Sequence, residues 1–183
     1  LVSVNMLENN IGIEQAHNLA AILQEHATLK SLCGNTGDEA ELDMSGNKEM
    51  GASGAIMLAP EIATNRVLTS LNMSGNNIGA IDNGGWSEHK TEEGQTYYAK
   101  QGQESQWNPP EGWGKAQGVI ALAGAISASR TMVTVNMMGN KIGREQLSKL
   151  QEMMKAHPTL VSLCGIANDA TEANLSGLGM DAD

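Results

Sequence analysis

Four stretches of this 183-residue chain superimpose on one pattern of apolar and polar residues. Each approximates L-x-x-L-x-L-x-x-N-x-L, and the four are LVSVNMLENNIG from Leu1, AELDMSGNKEMG from Ala40, LTSLNMSGNNIG from Leu68 and MVTVNMMGNKIG from Met132. Apolar residues at alternate positions predict a short strand with one buried face. An asparagine follows each strand, and its amide can satisfy backbone groups in the turn, which a leucine could not do. These asparagines are Asn9, Asn47, Asn76 and Asn140.

A helical pattern follows the strands, as in IEQAHNLAAILQEH and GREQLSKLQEMMKAH. A larger duplication lies over the repeats, because residues 1–52 align without a gap onto 132–183 with 21 of 52 positions identical. The pattern resembles the leucine-rich repeat family, in its ribonuclease-inhibitor-like class. The resemblance implies an α/β solenoid with parallel strands on the concave side and helices outside. Its repeats would start near residues 1, 29, 68, 132 and 160, and NTGDEAE would delay the second strand until Leu42.

Strand residues that point away from the core would line the concave face of such a solenoid. They are small and polar, and concave repeat surfaces commonly bind proteins. Without aromatic or arginine anchors, a solvated face is an equally good interpretation. The candidates are Asn5, Asp43, Asn72, Asn136 and Asn174.

One segment interrupts the third repeat and contains every Trp and Tyr of the chain. GVIALAGAI at 118–126 matches GAIMLAPEI at 54–62, so the repeat stops near Ala80 and resumes at Gly118. This divides the chain into a repeat array at 1–80 and 118–183 and an insert at 81–117. Within the insert, residues 86–90, 96–100 and 104–107 predict three short antiparallel strands joined by glycine-containing turns.

The insert resembles a WW domain, with two tryptophans 21 residues apart, a Tyr-Tyr pair and a following proline. The resemblance implies a small core of Trp86, Tyr98 and Pro110. On the opposite face it implies a groove for a proline-rich peptide, formed by Tyr97 and Trp107 beside Ser105 and flanked by Ala99 and Gln101. The sequence departs from the family at Lys100, where asparagine is usual, and in a shorter second turn. An insert that folds, packs on its own scaffold and binds no peptide remains the alternative.

The remaining residues argue against catalysis. The net charge of −10 disfavours nucleic acid and anionic lipid as partners, and the sequence has no apolar run that could span a membrane. Cys33 and Cys164 recur at equivalent repeat positions and are interpreted as small buried side chains. His26 and His157 recur in the same way, which favours a structural role at a helix end. No metal site, cofactor site or catalytic group is predicted.

These patterns favour a non-catalytic interaction scaffold that binds a protein partner, with proline-rich segments as the expected ligand of the insert. The alternative is an architectural subunit of a larger assembly. The few cysteines favour the cytosol, and the WW resemblance implies a eukaryotic source. Because neither end carries a polar capping repeat, we expect a longer array or a partner that covers the ends.

Overall fold

The computed structural model describes residues 1–46, 50–81, 85–110 and 112–165. Within these ranges the chain forms the helices α1 (Ile13–Glu25), α2 (Gly51–Thr64), α3 (Gln117–Ala128) and α4 (Arg144–Ala156). The strands are β1 (Glu41–Asp43), β2 (Ser70–Asn72), β3 (Ser87–Lys90), β4 (Thr96–Ala99) and β5 (Thr134–Asn136). The fold is therefore mixed α/β.

The strands of the repeats form one parallel sheet in the order β1, β2, β5, with Leu42, Leu71 and Val135 in register. The helices pack in chain order, α1 on α2, α2 on α3 and α3 on α4. The core between strands and helices contains Leu, Ile, Val, Met, Ala and Cys33, and no aromatic ring contributes to it. Because α2 lies between two helices, most of its residues are buried.

Asparagines hold the turns after β2 and β5 together, as the repeat pattern predicts. Asn47 lies outside the described residues, and the exposed Asn9 donates to the Met6 and Leu7 carbonyls of its own turn. The Asn140 amide donates to the carbonyl oxygens of Met73 (2.7 Å) and Met137 (2.9 Å), and its Oδ1 accepts from the Asn76 N–H at 2.9 Å. The Asn76 amide donates to the Met44 and Met73 carbonyls in the same way. Asn76 and Asn140 thus each link their own turn to the turn of the preceding repeat.

The residue that ends each helix makes the same hydrogen bonds in every repeat. The His26 Nδ1 accepts from the backbone N–H groups of Thr28 and Leu29, two and three residues on. The His157 Nδ1 accepts from the N–H groups of Thr159 and Leu160. The structural role predicted for the two histidines is confirmed, and Asn65 and Ser129 perform it after α2 and α3.

The second repeat differs from the prediction of one delayed strand, because it pairs at two places. Ser31 and Cys33 bridge Ser3 and Asn5 of the first repeat, and only then does β1 pair with β2. Gly34 and Gly37, both at positive φ, turn the chain between the two segments. The residues from Leu29 to Gly34 therefore already form a strand position, and residues 35–40 connect it to β1.

The insert contains a two-stranded sheet rather than three strands. β3 and β4 pair antiparallel, and a third segment adds a single bridge in which Tyr98 and Gln106 exchange backbone hydrogen bonds of 2.8 and 2.9 Å. The ladder cannot continue far beyond Gln106, because Pro109 and Pro110 have no N–H group to donate.

Candidate functional site

The aromatic side chains of the insert lie on the two faces of the β3–β4 sheet. Side chains alternate along a strand, so Tyr97 and Ala99 share one face and Tyr98 occupies the other. The register pairs Tyr97 with His89 and Tyr98 with Glu88. This alternation separates Tyr97 and Ala99, which the WW resemblance assigns to a groove, from Tyr98, which it assigns to a core.

On the first face, three rings form a continuous row. The Tyr97 ring lies 6.2 Å from that of Trp107 at an interplanar angle of 69°, and His89 stacks on Tyr97 at 5.3 Å and 23°. Trp107 is 62% exposed, whereas Tyr97 is half-buried. The row therefore presents one open indole beside a ring that is held between two neighbours.

The residues predicted to flank the groove lie at the end of β4 and in the segment that follows it. Ala99 ends β4 opposite Ser87 and is half-buried. Gln101 begins the following turn, and Ser105 directly precedes the bridge at Gln106; both are exposed. Ala99 is small, whereas Gln101 and Ser105 have exposed hydrogen-bonding side chains.

On the second face, the ring that contacts Tyr98 belongs to Trp113. The two centroids are 4.9 Å apart and the rings meet edge to face at 69°, a favoured aromatic geometry. Trp86 and Pro110 line a cleft next to Lys100. Sequence reasoning assigned no role to Trp113; the available signal was that the insert has a third tryptophan just after its last proline.

Four of the polar residues predicted for the concave face each make the same kind of local hydrogen bond. The side-chain oxygens of Asn5, Asp43, Asn72 and Asn136 each accept the backbone N–H two residues on, at 2.9 to 3.1 Å. Three of them align across the sheet, since Asp43 pairs with Asn72 and Asn72 with Asn136. Asn174 lies outside the described residues. One acceptor of each side chain is thus already used to form the turn.

A buried carboxylate that sequence reasoning missed, Glu61 of α2, holds the first segment of the second repeat. Its Oε1 accepts the N–H groups of Leu32 (2.8 Å) and Cys33 (3.1 Å). Its Oε2 accepts the Ser31 hydroxyl (2.9 Å) and the Asn35 amide (2.7 Å). The signal for such a site was a single carboxylate in the apolar run GAIMLAPEI.

The two cysteines differ in their surroundings. Cys33 is buried, as predicted, and this burial, followed by the charge of Glu61, raises the pKa of its thiol far above the ordinary value. A thiol that stays protonated is a poor nucleophile. Cys164 is exposed, so its predicted burial is wrong.

In the part of the chain that the structure describes, no group of three or more His, Cys, Asp or Glu side chains could hold a metal ion. Across the same residues, no helix combines the length and the apolar character needed to cross a membrane.

Comparison with known proteins bears on the repeats. No curated protein matches the chain. Residues 41–59 and 64–81, which include β1, most of α2 and β2, match the family model described as Leucine Rich repeat. The match and the repeated strand–helix units together support leucine-rich repeats over residues 41–81.

Proposed function

We propose that the chain is a non-catalytic interaction scaffold whose insert acts as a WW-like module and binds proline-rich segments. The observation that carries this proposal is the exposed Trp107 ring beside Tyr97 on one face of the β3–β4 sheet. The repeats, of the ribonuclease-inhibitor-like class in this proposal, would offer a second and larger surface for a protein partner. Two free cysteines, Cys33 and Cys164, agree with a cytosolic location.

The ring pair suits an extended proline-rich ligand for a physical reason. A polyproline II segment has little conformational entropy to lose on binding, and its pyrrolidine rings pack on flat aromatic faces. Trp107 and Tyr97 meet at 69°, and in this proposal they act as two walls of a shallow groove. The indole N–H of Trp107 and the Ser105 hydroxyl can bond carbonyl groups of the peptide, which has few N–H groups of its own.

Support for this proposal also comes from the way the rings are held. His89 stacks on Tyr97 from the neighbouring strand, and Tyr98 is fixed behind it by Trp113. A ring that is already ordered loses less entropy when a ligand arrives. Ala99 and Gln101 would border the groove, with Ala99 leaving room for a bulky ligand residue.

The alternative, an architectural role without a peptide ligand, has one observation in its favour. Lys100 of the insert forms an ion pair of 3.3 Å with Glu14 of α1, so the insert contacts its own scaffold. This contact involves the second face of the sheet and leaves the Trp107 ring open. Peptide binding therefore requires the Trp107 ring, whereas the architectural role does not.

The deciding experiment measures the fluorescence anisotropy of labelled proline-rich peptides titrated with the protein. We expect saturable binding that weakens at least about 30-fold in Trp107→Ala, the scale of an interface hot spot. Val67→Ala is the matched control, since Val67 is another exposed apolar side chain, 47% exposed, on the repeats. Absence of saturation with every peptide, or equal affinity of wild type and Trp107→Ala, would rule the proposal out in favour of the architectural role.

A further inference from the structure

A cleft of about 590 Å³ lies between the insert and the helices of the repeats. Its insert side is formed by Trp86, Lys100 and Pro110, and its helix side by residues of α1 and α3 that include Ile13 and Ile120. This volume is within the range of sites for small molecules, which often lie where two structural units meet. The groove of Tyr97 and Trp107 is on the other face of the insert, so the cleft is a separate feature.

The helix side of the cleft is held in place by two contacts. The His17 Nε2 of α1 lies 3.0 Å from the Gln117 Oε1 at the start of α3. The Gln117 side chain also covers Gly112, where an added Cβ would lie 2.3 Å from the Gln117 Nε2. Gly112 therefore leaves the space in which Gln117 reaches His17, and this joins the end of the insert to both helices.

The charges of the described residues around the cleft oppose the charge of the whole chain. The chain has a net charge of −10, yet in the described ranges the cleft is lined by two lysines, Lys100 and Lys115, and one carboxylate, Glu14. Glu14 is paired with Lys100 at 3.3 Å. Among the described residues Lys115 has no ion pair, and its ammonium group is the free charge at this site.

The apolar part of the lining complements this cation. The indole of Trp86 is half-buried and offers a flat surface, and Pro110, Ile13 and Ile120 add aliphatic area. Ile120 is 51% exposed although it is a large aliphatic side chain on α3. A ligand that covers Trp86 and Ile120 would remove apolar surface from water, which is favourable.

We infer that this cleft binds a small carboxylate with a flat or aliphatic apolar body, the carboxylate at Lys115 and the body between Trp86 and Ile120. A carboxylate accepts charge-assisted hydrogen bonds from an ammonium group. The body fits between an aromatic and an aliphatic wall, as in other mostly apolar ligand sites. This inference does not depend on peptide binding at Trp107.

The test uses 2-naphthoate as a probe and follows the tryptophan indole N–H signals by NMR, assigned with single Trp→Phe variants. We expect a saturable shift at Trp86 with a dissociation constant on the order of 1 mM, the value usual for a ligand of this size. 2-Naphthalenemethanol has the same rings without the charge, and should bind about fivefold more weakly. Lys115→Gln should weaken naphthoate binding by a similar factor.

Two further variants locate the site. Ile120→Asp places a carboxylate in the wall at an exposed position and should abolish binding without lowering the melting temperature by more than a few degrees. Lys90→Gln, in β3 and outside the cleft lining, should leave the dissociation constant unchanged. No saturation below about 10 mM naphthoate, equal affinity for the alcohol, or an unchanged affinity in both Lys115→Gln and Ile120→Asp would overturn the inference. Trp107→Ala should bind naphthoate with the affinity of the wild type. A failure of ligand binding in the cleft is therefore distinguishable from a failure of peptide binding at Trp107.

Discussion

Replacing Glu61 by glutamine removes one negative charge from the core while keeping the size and shape of the side chain. The carboxylate accepts four hydrogen bonds, from the Leu32 and Cys33 N–H groups, the Ser31 hydroxyl and the Asn35 amide. All four partners are donors, so a carboxylate is the group that satisfies them together. Glutamine has one acceptor oxygen and one NH₂ group that only donates, and two of the four partners must then face that NH₂ group.

The cost can be estimated partner by partner. If the glutamine oxygen keeps the two backbone N–H groups, each bond loses its charge assistance, about 1 kcal/mol. Asn35 can rotate its amide and accept from the new NH₂. Ser31 cannot adapt as easily, because its oxygen already accepts the N–H groups of Cys33 and Asn35 at 3.1 and 2.8 Å. A hydroxyl without a partner in the core costs roughly 1 to 2 kcal/mol more, so we expect a total of about 3 kcal/mol.

Thermal and urea unfolding followed by circular dichroism would measure this loss. For a chain of this size, about 3 kcal/mol corresponds to a decrease in melting temperature of roughly 6 to 12 °C. Glu25→Gln, at the exposed end of α1, is the control and should change the stability by less than about 0.5 kcal/mol. If Glu61→Gln unfolded within about 2 °C of the wild type, the carboxylate would not be what holds the split strand of the second repeat.

Three more substitutions test the packing of α3 and the turn after β1. An added Cβ at Gly118 would lie 2.7 Å from the Ala52 Cα, so Gly118→Ala should lower the free energy of unfolding by about 2 kcal/mol. Gly124 has open space around it in the same helix, so Gly124→Ala should raise that free energy by about 0.5 to 1 kcal/mol. Urea unfolding of both variants checks this, and equal effects of the two substitutions would contradict it. The Ser45 N–H, which donates to Asp43, lowers the pKa of that carboxyl in the folded chain. The ionised Asp43 therefore contributes stability above its pKa in the unfolded chain, near 4, and this contribution is lost as the pH falls through the lower pKa of the folded chain. Asp43→Asn should keep the turn, as asparagines do at the equivalent positions. As the pH is lowered from 7 to 3, the melting temperature of this variant should rise relative to that of the wild type. A difference in melting temperature that stays constant with pH would contradict this prediction.

The parts of the fold that depend on short sequence patterns could be predicted from the sequence. Alternating apolar residues located β2 and β5, and the recurrent asparagines and histidines identified the turn and the helix ends because each bonds within a few residues or to the adjacent repeat. The split of the second repeat could not be predicted in this way. Residues 29–34 and 40–44 both carry strand patterns, and the group that lets both be used, Glu61, lies about 30 residues further along the chain.

The candidate site shows the same division between local and long-range information. The WW resemblance implied that Tyr97 and Tyr98 lie on opposite faces, which strand alternation requires, and a single turn sets the register of β4 with β3. The resemblance placed Trp86 with Tyr98, whereas the contact of Tyr98 with Trp113 depends on the path of the chain after Pro110, which no short pattern signals. The ion pair of Lys100 with Glu14 joins residues 86 positions apart, and no periodicity in the chain signals it.

The geometry at the ends of the insert explains how a long interruption leaves the repeats in register. The Ile78 carbonyl oxygen, which precedes the insert, lies 2.8 Å from the position that a Cβ of Gly118 would occupy. The chain therefore leaves and re-enters the array at nearly the same point, and β2 pairs with β5 one to one, as β1 does with β2. Closing a longer loop costs only about 0.6 kcal/mol for each doubling of its length. Since the two ends already meet, the inserted residues add little strain to the array, and glycine at 118 is what allows the backbones to come so close.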